Sequence, residues 1–164
     1  MEHAANRQLI FVMGTLEEIN AKIRKYCAYQ DRAEKEVVQR LKLLGATEKE
    51  ITDILPILQE EAFIDDDRFT RNYVRGKLNL KQWGKLKIKS QLVMKGIASD
   101  IIKKYLSDIP DEQYEDLLDE TIRKWKKTHN ISEQKYVKLY RHLLSKGYEN
   151  SVIISKLKMY DRED

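Results

Sequence analysis

The chain has 164 residues, 41% apolar and 35% charged, with 31 Lys and Arg against 27 Asp and Glu and a net charge of +4. That apolar share excludes a disordered chain, and 6 Gly and 2 Pro are too few turn residues for an all-β fold. The lone thiol, Cys27, excludes an internal disulfide and a cysteine-based zinc site and fits a reducing, cytoplasmic setting.

Residues 1–14 read as a flexible leader. The apolar run Leu9–Met13 is far short of the roughly 20 residues that a membrane span needs, and it lacks the basic start of a signal peptide. Leu16, Ile19, Ile23 and Tyr26 then fall at helical spacing. Val37, Leu41 and Leu44 give a second helix that ends at Gly45. A third opens on Thr47, which with Glu50 has capping-box spacing. Pro56 is expected to kink this helix or to shorten it to Leu55.

The same layout returns twice. Phe69, Tyr73 and Val74 mark a first helix, Ile88 and Leu92 a second that ends at Gly96, and Ser99 the cap of a third. Leu118, Ile122 and Trp125 start the last set, Gly147 closes its second helix and Asn150 caps the next. Pro110, in the connection Ser107–Asp111, reads as part of a flexible joint. Gly45, Gly96 and Gly147 stand 51 residues apart, as do Leu41, Leu92 and Leu143, and Ile51, Ile102 and Ile153. Glycine suits the position just past a helix end because it takes up the left-handed conformation at no steric cost. The predicted fold is all-α: three tandem three-helix repeats at 15–63, 64–110 and 111–160, a short tail at 161–164, and an elongated, curved array as the result.

Charge is unevenly spread. Between Arg68 and Lys95 lie Arg71, Arg75, Lys77, Lys81, Lys85, Lys87 and Lys89, with no acidic residue among them. Arg68, Arg71 and Arg75 share one helix face, and the loop at Trp83-Gly84 is bracketed by Lys81 and Lys85. A polyanion or an acidic protein face is the matching partner; a solvated lysine-rich surface is the plainer reading. Trp83 either stacks on a partner or packs beneath its loop. Arg123, Lys124, Lys126 and Lys127 can extend the stripe.

Asp65-Asp66-Asp67 precedes this run, and helix capping with local pairing to Arg68 accounts for it better than metal binding does. The sequence holds no phosphate loop, nucleophile elbow or paired metal-binding histidines. Its histidines, His3, His129 and His142, are scattered, and Cys27 reads as a small core residue. No catalytic residue, metal site or cofactor is therefore expected.

The stretch EEAFIDDDRFTRNYVRGKL at 60–78 and the stretch WGKLKIKSQLVMKGI at 83–97 resemble the RecX family of regulatory proteins. The match is carried by Phe63, Ile64, Asp65, Asp66, Arg68, Phe69, Tyr73, Val74 and Arg75, then by Gly84, Ile88, Leu92, Lys95, Gly96 and Ile97. Looser similarity extends over 16–160. Thr70 stands where the family pattern has alanine, and Gln91 where glutamate is common. The resemblance implies tandem three-helix repeats, in keeping with the period. It also implies a protein that binds the RecA recombinase filament on single-stranded DNA; with the lone thiol and the missing catalytic motifs, a cytoplasmic, monomeric, non-enzymatic protein is expected. Such a protein modulates recombinase and ATPase activity, with inhibition the expected direction, and so affects recombination and DNA repair.

Candidate contacts are Arg68, Arg71, Arg75, Lys77, Lys81, Trp83, Lys85, Lys87, Lys89 and Lys95, chosen from the charge pattern; the family match itself supports Arg68 and Arg75. One rival is a helical-repeat protein that binds single- or double-stranded DNA directly, with steeply salt-dependent affinity. Another is a scaffold that holds a partner helix in a groove, with little dependence on the basic residues.

Overall fold

A computed structural model of the protein describes the backbone of residues 2–129 and 135–160, and side chains over 15–129 and 135–159. Among the described residues there are helices and no strand: α1 Glu2–Tyr29, α2 Glu34–Leu43, α3 Glu48–Glu60, α4 Asp66–Lys81, α5 Lys85–Met94, α6 Ser99–Ser107, α7 Asp111–Thr128, α8 Lys135–Lys146 and α9 Asn150–Tyr160. They follow one another in threes as a helical repeat array. The expected leader falls on side chains outside the described residues, its backbone from Glu2 being the start of α1; the expected tail at 161–164 also lies outside.

The chain forms two compact units, 1–69 and 70–164. In unit 1 the core is built from Ile19, Ile23 and Cys27 of α1, Val37 and Leu41 of α2, and Ile51, Ile54 and Leu58 of α3, closed by Ile64. Cys27 is buried, and burial pushes its thiol up, so it behaves as a core residue. In unit 2 Val74, Ile88, Leu92, Ile102, Leu118, Ile122, Leu139, Leu143, Tyr148 and Ile153 fill the interior. The sequence period is a burial period: Leu41, Leu92 and Leu143 are each 0% exposed. Fully burying one such side chain is worth about 1.5–3 kcal/mol.

The periodic glycines perform one turn three times. Their φ values are +88° at Gly45, +83° at Gly96 and +88° at Gly147. Beyond each, an amide reaches back to the leucine carbonyl five residues earlier: Ala46 N–H to Leu41 O at 3.1 Å, Ile97 N–H to Leu92 O at 3.1 Å and Tyr148 N–H to Leu143 O at 3.2 Å. A second bond from the glycine N–H completes the Schellman pattern, for example Gly96 to Val93 O at 3.0 Å.

Three local expectations need correction. Thr47 caps α3 as read, with Glu50 N–H donating to its hydroxyl and Glu50 returning a bond to the Thr47 N–H. Its equivalents 51 residues on, however, are Ala98 and then Glu149, whereas Ser99 and Asn150 are already the first helical residues. The cap position needs extended backbone, which Ala98 has at φ −62°, ψ 143°. Pro56 does not end α3, which continues to Glu60. Thr52, whose carbonyl loses its helical partner to Pro56, is exposed, and water can serve it. The connection at Pro110 is anchored rather than loose. Ile109 is buried, and the Pro110 carbonyl accepts the Tyr114 N–H at 3.0 Å to open α7.

Thr70 is wholly buried, and its hydroxyl has no hydrogen-bond partner among the described residues. A buried unsatisfied hydroxyl costs about 1–3 kcal/mol. Thr70→Val keeps the shape and removes that cost, so urea melts of the variant should show a gain of about 1 kcal/mol; a loss would mean the hydroxyl is satisfied in solution.

Candidate functional site

The acidic triplet and Arg68 come first, within unit 1. Asp65 caps α4, accepting the Arg68 N–H at 2.8 Å. Asp66 is half-buried and accepts the Glu34 N–H at 3.4 Å; burial above all raises its carboxyl from the ordinary value. The Arg68 side chain bonds Asp31 at 2.8 Å and the Ala62 carbonyl at 3.0 Å. Ala62 has φ +58°, so Arg68 secures the turn that ends α3. No group of His, Cys, Asp and Glu suited to holding a metal occurs among the described residues.

The remaining candidates belong to unit 2. Arg71 and Arg75 project from the exposed face of α4, and Lys81 and Lys89 are also exposed; Lys77, Lys85, Lys87 and Lys95 are half-buried. Trp83 is half-buried with the Lys77 ammonium 5.0 Å and the Lys87 ammonium 4.8 Å from its ring centroid. The indole is thus flanked by cations of its own chain, Lys77 from α4 and Lys87 from α5. Lys77 and Lys95 also lie over the Tyr73 ring, at 5.0 and 5.7 Å.

What holds this surface is the start of α5. A helix begins with N–H groups that lack partners in its own ladder, and Gly84 at the cap has no side chain to offer them. They are met from far along the sequence. Gly84 N–H donates to the Lys146 carbonyl at 2.8 Å and Leu86 N–H to the Gly147 carbonyl at 3.1 Å. Lys85 N–H donates to the Tyr114 hydroxyl at 2.9 Å, and that hydroxyl donates to Glu149 at 2.6 Å. Burial, then the bond to Glu149, pushes the Tyr114 phenol far above its usual range. The end of α8 therefore abuts the beginning of α5 backbone to backbone. A Cβ on Gly84 would collide with the Gly147 carbonyl, and one on Gly147 with Lys87.

This junction gathers cations that the sequence keeps apart. Lys146 donates to the Lys81 carbonyl at 3.1 Å, and Lys87 to the Ser145 carbonyl at 3.0 Å. Burial, followed by the charges of Lys87, Lys124 and Lys81, holds the Lys146 ammonium below the ordinary lysine range. Lys124 is the paired member, 2.7 Å from Glu120. The sequence reading reached Lys124 only as an extension of the stripe and missed Lys146, although it directly precedes the periodic Gly147.

Two family models match this chain: "RecX, second three-helix domain" over residues 65–106 and "RecX, third three-helix domain" over 111–157. The chain belongs to the RecX family. A "Regulatory protein RecX" of Clostridium botulinum (strain Alaska E43 / Type E3) is 34% identical over 126 residues, covering 74% of this chain and 58% of the relative. One from Clostridium beijerinckii is 34% identical over 140 residues, covering 81% of this chain and 65% of its own length. This chain thus spans less than two thirds of these curated relatives. The crystal structure of RecX from Lactobacillus salivarius superposes with a TM-score of 0.77 at 26% identity, covering 91% of this chain and 98% of that one. The crystal structure of a second regulatory protein RecX gives 0.74 at 25% identity, covering 89% and 74%.

The junction makes Gly84 and Gly45 differ in a measurable way. Gly45 has open space around its Cβ position, so Gly45→Ala should cost about 1–2 kcal/mol, the penalty of left-handed backbone. Gly84→Ala forces the α5 and α8 ends apart and strips partners from buried amides, each worth about 1–3 kcal/mol. Urea denaturation should rank Gly84→Ala as the more damaging.

Proposed function

We propose that the protein is a regulator that binds the RecA recombinase filament on single-stranded DNA through the cationic surface of unit 2. The observation that carries the reading is the gathering of Lys81, Lys87 and Lys146 at the α5–α8 junction, in a unit whose helices α4 and α5 also carry exposed Arg71, Arg75 and Lys89. Like charges held together weaken the isolated fold, and a facing phosphate or carboxylate relieves them. Membership of a family of regulatory proteins supports a recombinase as the partner. Bound to the filament, the protein contributes Arg71, Arg75 and Lys89 as flexible exposed contacts and Lys146 as a pre-positioned one. Occupying the filament surface in this way obstructs its extension, so inhibition is the expected direction. Arg68, engaged with Asp31 and Ala62, contributes by positioning rather than by contact. The protein acts as a monomer in the cytoplasm, without a catalytic step, and its repeats run over 15–63, 64–110 and 111–160.

The test is ATP hydrolysis by RecA on single-stranded DNA, with wild type and with Arg71→Glu/Arg75→Glu/Lys89→Glu. These three side chains are exposed, so the variant should keep its melting temperature. The wild type should lower the rate, and the variant should need about ten times more protein for the same effect. Absence of any wild-type effect, together with steeply salt-dependent binding to bare DNA, would replace this reading with direct nucleic-acid binding.

A further inference from the structure

Helix α5 carries more apolar surface than its own fold consumes. Ile88 and Leu92 are wholly buried, whereas Leu86 is 52% and Val93 56% exposed. At about 100° per residue, Leu86 and Val93 sit together on a second face, roughly 130° around the helix from the buried pair. That face is one wall of a groove of about 680 Å³, whose other wall is α6 with Ile102 and Leu106. Nothing about the interior of unit 2 requires Leu86 or Val93 to be apolar.

The charges around the groove identify what it fits. Lys85, Lys89 and Lys103 stand along it, against the carboxylates of Asp100 and Glu149. Glu149 is already engaged by the Tyr114 hydroxyl, and Asp100 lies in the first turn of α6, where the helix dipole offsets it. Lys89 and Lys103 are exposed, and neither forms an ion pair among the described residues. An apolar floor with a net cationic rim favours an occupant with an apolar stripe and acidic flanks. Two helices side by side offer a trough and no strand edge, so the fitting form is a helix laid along it. Leu86 and Val93 are seven residues apart, about 10 Å along α5, which matches the i, i+4, i+7 stripe of such a helix.

We infer that the α5–α6 groove is a docking site for an acidic amphipathic helix of a partner protein, an interaction that shares Lys89 with the cationic surface but is built on Leu86 and Val93, and so does not depend on whether that surface meets a recombinase filament. Leu86 and Val93 supply apolar contact, and Lys89 and Lys103 select acidic flanks.

The experiment uses the full chain and a fluorescein-labelled synthetic helix with leucines at i, i+4 and i+7 and glutamates on either side. Fluorescence anisotropy should give micromolar binding, weakened at least about tenfold by Leu86→Ser/Val93→Ser. Lys89→Glu/Lys103→Glu should lose the acidic helix and gain its charge-reversed counterpart, in which lysines replace the glutamates. The exposed positions allow both variants to be checked for unchanged helical circular dichroism. Absence of binding, or equal binding of the charge-reversed helix to wild type, would overturn the proposal. So would binding that ignores Leu86→Ser/Val93→Ser but is lost in Arg71→Glu/Arg75→Glu, because the cationic face alone would then be responsible. Self-association in sedimentation velocity that Val93→Ser abolishes would make a second copy of the chain the occupant, and would equally overturn it. Retention of the ATPase effect by Leu86→Ser/Val93→Ser separates the outcome here from the fate of the filament reading.

Discussion

The seam where α8 ends and α5 begins is the contact on which unit 2 depends. Helix starts and helix ends each leave polar backbone groups without partners, and here one end answers the other. Amides of Gly84 and Leu86 take the carbonyls of Lys146 and Gly147. The two backbones come so close that neither Gly84 nor Gly147 has room for a Cβ. Because the junction joins the second and third sets of helices, those sets form one compact unit although the sequence period separates them. Tyr114 adds a polar strut from α7, bridging the Lys85 amide and Glu149.

The same seam organises charge. Without it Lys146 would be one exposed lysine at the end of a helix. With it, the ammonium is partly buried, reaches the Lys81 carbonyl, and feels Lys87 and Lys124 as well. Trp83 is caught in the same arrangement, between Lys77 and Lys87. The demands of backbone packing and the placement of charge therefore meet on a few residues. The glycines that permit backbone contact also determine which cations face outward together. In unit 1 the analogous position of Arg68 is satisfied internally by Asp31 and the Ala62 carbonyl, so a basic residue with the same helical phase as Arg71 and Arg75 serves the fold instead.

Much of the architecture was legible because its causes are local. Helical spacing of apolar residues finds the buried faces, and a glycine in left-handed conformation marks the end of a helix whatever surrounds it. The period of 51 carried both signals three times. The errors were local too. Ser99 and Asn150 were favoured as caps for their side chains, but the backbone places Ala98 and Glu149 there. Cap chemistry is a preference that tertiary packing overrides. Pro56 has the chemistry to kink α3 or to shorten it to Leu55, yet α3 runs on to Glu60, since a proline on an exposed helix face forfeits only one bond that water can replace.

The sequence by itself determined an all-helical chain, three copies of one turn and an acid-free basic stretch from Arg68 to Lys95, because each follows from residues close together along the chain. It also placed the chain beside the RecX proteins, since the motif around Asp65 to Arg75 is contiguous. Only the tertiary structure decided which cations converge, why Gly84 must be glycine at an ordinary φ of −73°, and that Leu86 and Val93 line a groove. These depend on partners such as Lys146 and Lys81, 65 residues apart. No local pattern records such a distance, because closing it rests on the packing of every helix between.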